Sequence, residues 1–147
     1  MNIKLINVYG YPNHVEILYE LLKERDSTIN IHYSELPDFK KHKRFVNKKP
    51  YVGWFFIKDD EEICGSVLLD NRKGENEIGV FIFKKFHRKG YATKAVKLLM
   101  DRFRNVKKFI CFINPKNKKS IVFFKGLGFR HIQNTYEYSN EKGQKIK

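Results

Sequence analysis

The chain has 147 residues, 41% of them hydrophobic, with 13 Phe, 8 Tyr and 1 Trp, which is enough for one good core and too much for a disordered segment. Thirty basic residues against sixteen acidic ones give a net charge of +14, a field that draws anionic ligands. No apolar run is long enough to span a membrane, and the start MNIKLINVYGYP carries no signal-peptide core. The two cysteines, Cys64 and Cys111, show no metal spacing. These features point to a single reduced, cytoplasmic domain over 1–147 with a polar tail from about residue 139, no metal and no membrane contact.

In chain order, residues 2–9 read as a first strand, stopped by Gly10 and Pro12. Residues 13–25 follow helical spacing, with Val15, Leu18, Tyr19 and Leu22 on one face and Glu16, Glu20 and Lys23 on the other. A loop with His32 and Ser34 leads to a basic helix after Pro37, in which Phe39 and Phe45 are candidates for burial. The run YVGWFFIK at 51–58 is apolar on both faces, the mark of a central strand. Acidic residues 59–62 turn the chain into strand 63–69, and residues 71–74 turn it again. Strand 77–83 comes next, then helix 90–104, strand 108–113, helix 117–126 and a last strand from Phe129.

The stretch from Glu77 to Met100 carries the clearest chemistry. It reads EIGVFIF, KKFHRKGYA, TKAVKLLM: an apolar strand, a basic turn around one glycine, and an amphipathic helix. Such a turn brings free backbone N–H groups and the positive end of a helix dipole to one point, a site for a polyphosphate. Arg88 and Lys89 add full charges, and Gly90 lets the chain approach the phosphates without a Cβ in the way. A dinucleotide fingerprint would need three glycines and a Walker loop G-x-x-x-x-G-K-[ST]. Gly90 stands alone, and Gly126 and Gly128 follow a helix as cap glycines do.

The turn His87, Arg88, Lys89, Gly90, Tyr91, Ala92 resembles the pyrophosphate loop Gln/Arg-x-x-Gly-x-Gly/Ala of the GNAT superfamily, the acetyl-CoA-dependent N-acetyltransferases. His87 replaces the usual Gln or Arg. The segment NKKSIVFFKGLGF at 117–129 is similar to a second motif of that family, N-x-x-(A/S)-I-x-x-Y-E-K-x-G-F, with Asn117, Ser120, Ile121, Leu127, Gly128 and Phe129 in register. The family's tyrosine position holds Phe124. The resemblance implies an α/β (α+β) fold with a mixed, largely antiparallel sheet of six to seven strands flanked by about four helices. It also implies that the fourth and fifth strands splay into a slot for the cofactor.

Acetyl-CoA is then the donor substrate. The resemblance assigns its pyrophosphate to the loop His87, Arg88, Lys89, Gly90, Tyr91, Ala92 and Thr93, its pantetheine to the main chain of Phe81, Ile82 and Phe83, and further contacts to Asn117, Ser120 and Phe124. An N–H near Phe81 is the expected polariser of the thioester carbonyl. A primary ammonium has a pKa near ~10.4, so a base is required at neutral pH, and Glu77, facing the same way as Gly79 and Phe81, is the choice. His32 is the second candidate base. Cys111 as a covalent nucleophile is the weaker route, since it sits in a strand-like apolar run. Phe124 lacks the hydroxyl that protonates the leaving thiolate in the family, for which Tyr91, Tyr136 or water are the candidate replacements.

Acceptor contacts are expected from His32, Ser34 and Trp54, with Tyr33 and Tyr51 nearby. The expected reaction is direct attack by a primary amine in a ternary complex, on a small acceptor such as an amino sugar or nucleotide-linked amino sugar. The protein is expected as a monomer or homodimer. An alternative acceptor is a protein N-terminus or lysine. An alternative of another class is a non-catalytic CoA-binding or nucleic-acid-binding module, but no zinc-finger or RNP1 pattern accompanies the positive charge.

Overall fold

The structure, a computed structural model, describes residues 1–25 and 35–140. A meander of four antiparallel strands forms its centre: β1 (Ile3–Asn7), β2 (Gly53–Asp59), β3 (Glu62–Asp70) and β4 (Glu77–Ile82), in the spatial order β1-β2-β3-β4. Four helices accompany it, α1 (His14–Lys23), α2 (Phe39–Asn47), α3 (Tyr91–Arg102) and α4 (Lys118–Gly126). No helix among the described residues is long and apolar enough to cross a membrane.

The sheet separates two cores because side chains alternate across it. On one face Val67, Leu69 and Ile78 pack with Ala95, Val96 and Leu99 of α3 and Phe124 of α4. On the other, Trp54, Phe56, Leu68 and Phe81 pack with Val15, Leu18 and Leu21 of α1 and Val46 of α2. The central strands β2 and β3 are buried along most of their length, as the apolar run at 51–58 predicts.

Local chemistry fixes the helix ends. Asp38 accepts from the Lys41 N–H at 2.8 Å and starts α2. His42 of α2 is buried and its Nε2 donates to the Val15 carbonyl at 2.8 Å, which ties α2 to α1. Between β3 and β4 the backbones come so close that a Cβ at Gly65 would run into the Phe81 carbonyl oxygen and lie 2.9 Å from the Ile82 Cα.

Six or seven strands were expected, and four form among the described residues. The segment 108–113 pairs with β4 only at its base. Ile78 N–H donates to the Ile110 carbonyl at 2.8 Å and Ile110 N–H to the Asn76 carbonyl at 2.9 Å, a single parallel bridge. Among the described residues, 129–140 pair with nothing that makes a strand, and Ile132, Tyr136 and Tyr138 are exposed. Apolar alternation marks a segment able to be a strand, but a strand exists only when a neighbour takes its N–H and C=O groups.

Gly65→Ala is expected to destabilise the fold by about 1–3 kcal/mol, since β3 and β4 must part to admit one methyl group; urea denaturation measures this. Burial lowers the pKa of His42, against smaller raising effects of its bond to Val15 and the charge of Glu16. The unfolded chain therefore takes up the proton first as pH falls through about 6.5. Stability should be full above that pH and decline below it, and His42→Gln should flatten the dependence.

Candidate active site

The site is built on the free edge of β4. Phe83 N–H donates to the Cys64 carbonyl at 2.9 Å, which sets the phase of the β3–β4 ladder. Hydrogen-bonded pairs in an antiparallel ladder recur every second residue, so Phe81, opposite Ser66, also turns its N–H and C=O toward β3. Val80 and Ile82 turn theirs the other way, as Ile78 does in donating to Ile110. After that bond no backbone hydrogen bond joins 110–113 to β4 among the described residues, so the two backbones part. The N–H groups of Val80 and Ile82 meet no partner among the described residues.

Expecting the polarising amide near Phe81 thus needs a correction of one residue. Phe81 and Phe83 are engaged with β3, and the outward donors are their even-numbered neighbours. A strand's odd and even amides differ only through the partner it chooses, which periodicity does not reveal.

The basic turn follows β4 at the end away from the bond to Ile110 and leads into α3. Phe86 is its buried anchor, with its ring 5.6 Å edge-on from that of Tyr91. Arg88 has φ 63° and Gly90 φ 84°, both left-handed. Arg88 holds that conformation at a cost of roughly 1–2 kcal/mol, and strain of this kind gathers at functional loops. Arg88, Lys89 and Gly90 are exposed. The N–H groups of Arg88 through Thr93 have no backbone acceptor among the described residues, so the start of α3 is a concentrated array of free donors. His87 does not point into this array. Its Nε2 lies 2.8 Å from the Ile82 carbonyl and caps the open edge of β4.

Tyr91 turns inward. Its ring is buried and its hydroxyl donates to the Asp59 carboxylate at 2.7 Å, while the other carboxylate oxygen takes the Asn2 N–H at 2.9 Å. These two bonds hold the Asp59 carboxyl below its usual range. The bond to Asp59, with burial, raises the Tyr91 phenol. Tyr91 is accordingly a strut under the loop and not a proton source for a thiolate.

At α4, Asn117 accepts from the Ser120 N–H at 3.2 Å and caps the helix. Its side-chain amide nitrogen has no partner among the described residues. Phe124 is core, with 6% exposure and rings of Phe123 and Phe129 at 4.9 and 5.1 Å. Cys111 lies near Glu77; burial first, and that negative charge second, push its thiol up to about 11. A thiol so seldom ionised is a poor nucleophile.

Glu77 begins β4, where it bridges to Ile110, and faces Asp70 across the ladder. Nearby, Tyr51 packs 4.6 Å from Trp54 and 5.8 Å from Phe45. Burial pushes the Tyr51 phenol up to about 12, and Arg72, Asp70, Arg25 and Glu77 are the charges that act on it. Trp54, expected to touch the acceptor, is buried, and its Nε1 has no partner among the described residues. His32 and Ser34, with Tyr33, lie outside the described residues. The residues that sequence reasoning missed are Val80, Asp59, Asp70 and Arg72, none of which sits in a recognisable motif.

Residues 12–130 match the family model described as an acetyltransferase (GNAT) domain. The chain belongs to this family. It is 28% identical over 96 residues to the uncharacterized N-acetyltransferase p20 of Bacillus licheniformis, an alignment covering 61% of this chain and 54% of that protein. The chain thus spans about half the length of this curated relative. An acetyltransferase from Thermus thermophilus superposes with a TM-score of 0.75 at 17% identity, over 91% of this chain and 90% of the other. The yncA structure from Salmonella typhimurium, solved with its cofactor acetyl-CoA, gives 0.64 at 17% identity, over 88% and 79% of the two chains.

Arg88→Gly in this GNAT domain is expected to leave stability unchanged within about 1 kcal/mol, because relief of the left-handed strain offsets the entropy glycine adds to the unfolded chain. The same change should weaken binding of a polyphosphate ligand by removing a cation. Calorimetric titration with CoA beside a melting curve reads both effects. Tyr91→Phe should do the reverse, lowering the melting temperature and loosening the loop without removing any charge from it.

Proposed function

We propose that the protein transfers an acetyl group from acetyl-CoA to the primary amine of a small molecule by direct attack in a ternary complex. The observation that carries this reading is the open edge of β4, whose unpartnered amides lead from the array of free donors at α3 to the carboxylate of Glu77. Extended pantetheine needs an extended backbone to bond with, and its pyrophosphate needs free amides and cations at one end. Both are present in the right order, so the residues fit the donor.

In this reading the N–H groups of Arg88 to Thr93, with the charges of Arg88 and Lys89, hold the pyrophosphate. The Val80 C=O and Ile82 N–H hold pantetheine, and Asn117 and Ser120 flank it from α4. The Val80 N–H, nearer the bridge to Ile110, takes the thioester oxygen as negative charge develops on it. Glu77 accepts the proton of the attacking ammonium, directly or through one water. The C–N bond forms, the C–S bond breaks, and CoA leaves as a thiolate. A thiol of pKa near ~8.5 leaves without an obligatory acid, so the phenylalanine at 124 is tolerable and solvent supplies the final proton.

The acceptor meets the donor from the face of β4 under α1 and α2, beside Tyr51 and Trp54. The acceptor in this reading is a small amine, such as an amino sugar or nucleotide-linked amino sugar, and a protein N-terminus or lysine is the alternative.

Acetyl-CoA at 100 times its Kd should stabilise the protein by about 2.7 kcal/mol through mass action alone. Glu77→Gln should retain that shift while losing about 10²-fold or more in kcat. Val80→Pro deletes one outward amide and leaves the β3 ladder its donors, as proline permits on an edge. It should cost about 10²–10³-fold in kcat. A chain that binds CoA yet acetylates no member of an amine panel would refute the enzymatic reading.

A further inference from the structure

We propose that Arg72 binds an anionic group of the acceptor, so that the substrate carries a carboxylate or phosphate on the same molecule as its reactive amine. The inference rests on the acetyltransferase reading above and names the class of acceptor for that same site.

Arg72 lies in the turn after β3, and its guanidinium is held on three sides. Its Nε donates to the Asp70 Oδ1 at 3.0 Å and its Nη2 to Oδ2 at 2.9 Å, a two-pronged bond. The guanidinium carbon stands 5.3 Å from the Phe45 ring centre and 5.2 Å from that of Tyr51. Asp70 is buried, whereas the Arg72 side chain is 49% exposed. The buried carboxylate is therefore the anchor and the guanidinium the presented group. Nη1 meets no partner among the described residues.

The pair is not needed to make the turn. Asp70 already closes it by accepting the Arg72 backbone N–H at 3.0 Å. Burial pushes the Asp70 carboxyl up, and the side-chain and backbone bonds from Arg72 with the charges of Arg72 and Lys73 outweigh it, keeping the group ionised. The buried Asp70 carboxylate takes its countercharge from Arg72, but that bond uses only Nε and Nη2 and leaves Nη1 for a ligand.

Its position supplies the role. Asp70 is the cross-strand partner of Glu77, with Cα atoms of such a pair about 5.5 Å apart. Glu77 is in turn among the charges that act on Arg72. One cation, already ordered, thus stands a side chain's reach from the group that takes the amine's proton. An acceptor with an amine and an anion a few atoms apart spans the two, and the ordering of Arg72 removes much of the entropic cost of binding it.

The test uses matched amines that differ only in the anion: an amino acid against its amide, and an amino-sugar phosphate against the free amino sugar. Each is assayed for acetylation, and each is also tested by thermal shift in the presence of CoA, which reads binding without turnover. The anionic member of one pair should be preferred, and which pair responds tells carboxylate from phosphate. Arg72→Gln should raise KM for that anion, or abolish its thermal shift, by about tenfold. The loss of a cation near Glu77 should change kcat equally for both members of a pair, the KM for the neutral partner and for acetyl-CoA should stay unchanged, and Arg72→Lys should recover part of the KM loss. Equal preference for the neutral amines, or an equal rise in KM on both members in Arg72→Gln, overturns the proposal. If acetylation fails with every amine while Arg72→Gln still removes an anion-dependent shift, the enzymatic reading falls and the anion site stands.

Discussion

The bond from the Ile78 N–H to the Ile110 carbonyl is the last that any amide of β4 makes on its outer side among the described residues, and the candidate site depends on its being the last. Backbone amides left without a partner are costly when dry and useful when a ligand supplies the acceptor. Had 110–113 followed β4 for two more residues, the amides of Val80 and Ile82 would have been consumed by the sheet. The open amides of β4, the path proposed for the donor and the placing of Glu77 beside the bridge to Ile110 all follow from one divergence.

The surrounding elements keep that edge in position. Gly65 brings β3 tightly onto β4 from the other side, and Phe86 and Tyr91 plug the basic turn into the core. The hydrogen bond from Tyr91 to Asp59 joins the start of α3 to the end of β2, across the sheet from the loop's charges. The loop can therefore hold strained backbone and several cations at its tip because its base is apolar and fixed.

Around Glu77 the balance is electrostatic. Asp70 and Glu77 face each other, and two carboxylates so placed repel unless a cation intervenes. Arg72 supplies that cation, and the rings of Phe45 and Tyr51 lie 5.3 and 5.2 Å from its guanidinium carbon. The burial of Asp70 on the face beneath α1 and α2 strengthens its bond to Arg72. Polar recognition and aromatic packing are here the same structure.

Much was legible in the chain. The apolar alternation of 51–58 and 63–69, the amphipathic pattern of 91–102 and the basic turn before it express short-range preferences of residue types, and they survive folding nearly in place. The Asn117 cap and the glycine at 90 are local too. What failed was what depends on partners: the strands at 108–113 and beyond 129, the inward turn of Tyr91, and the choice between Phe81 and Val80 as outward donor. The order of elements and the chemistry of the turn lie in the sequence because each is set within a few residues. Which edge of β4 stays open, and which charges gather at Glu77, belong to the tertiary structure, since hydrogen-bond phase and cross-strand neighbours exist only once distant segments meet.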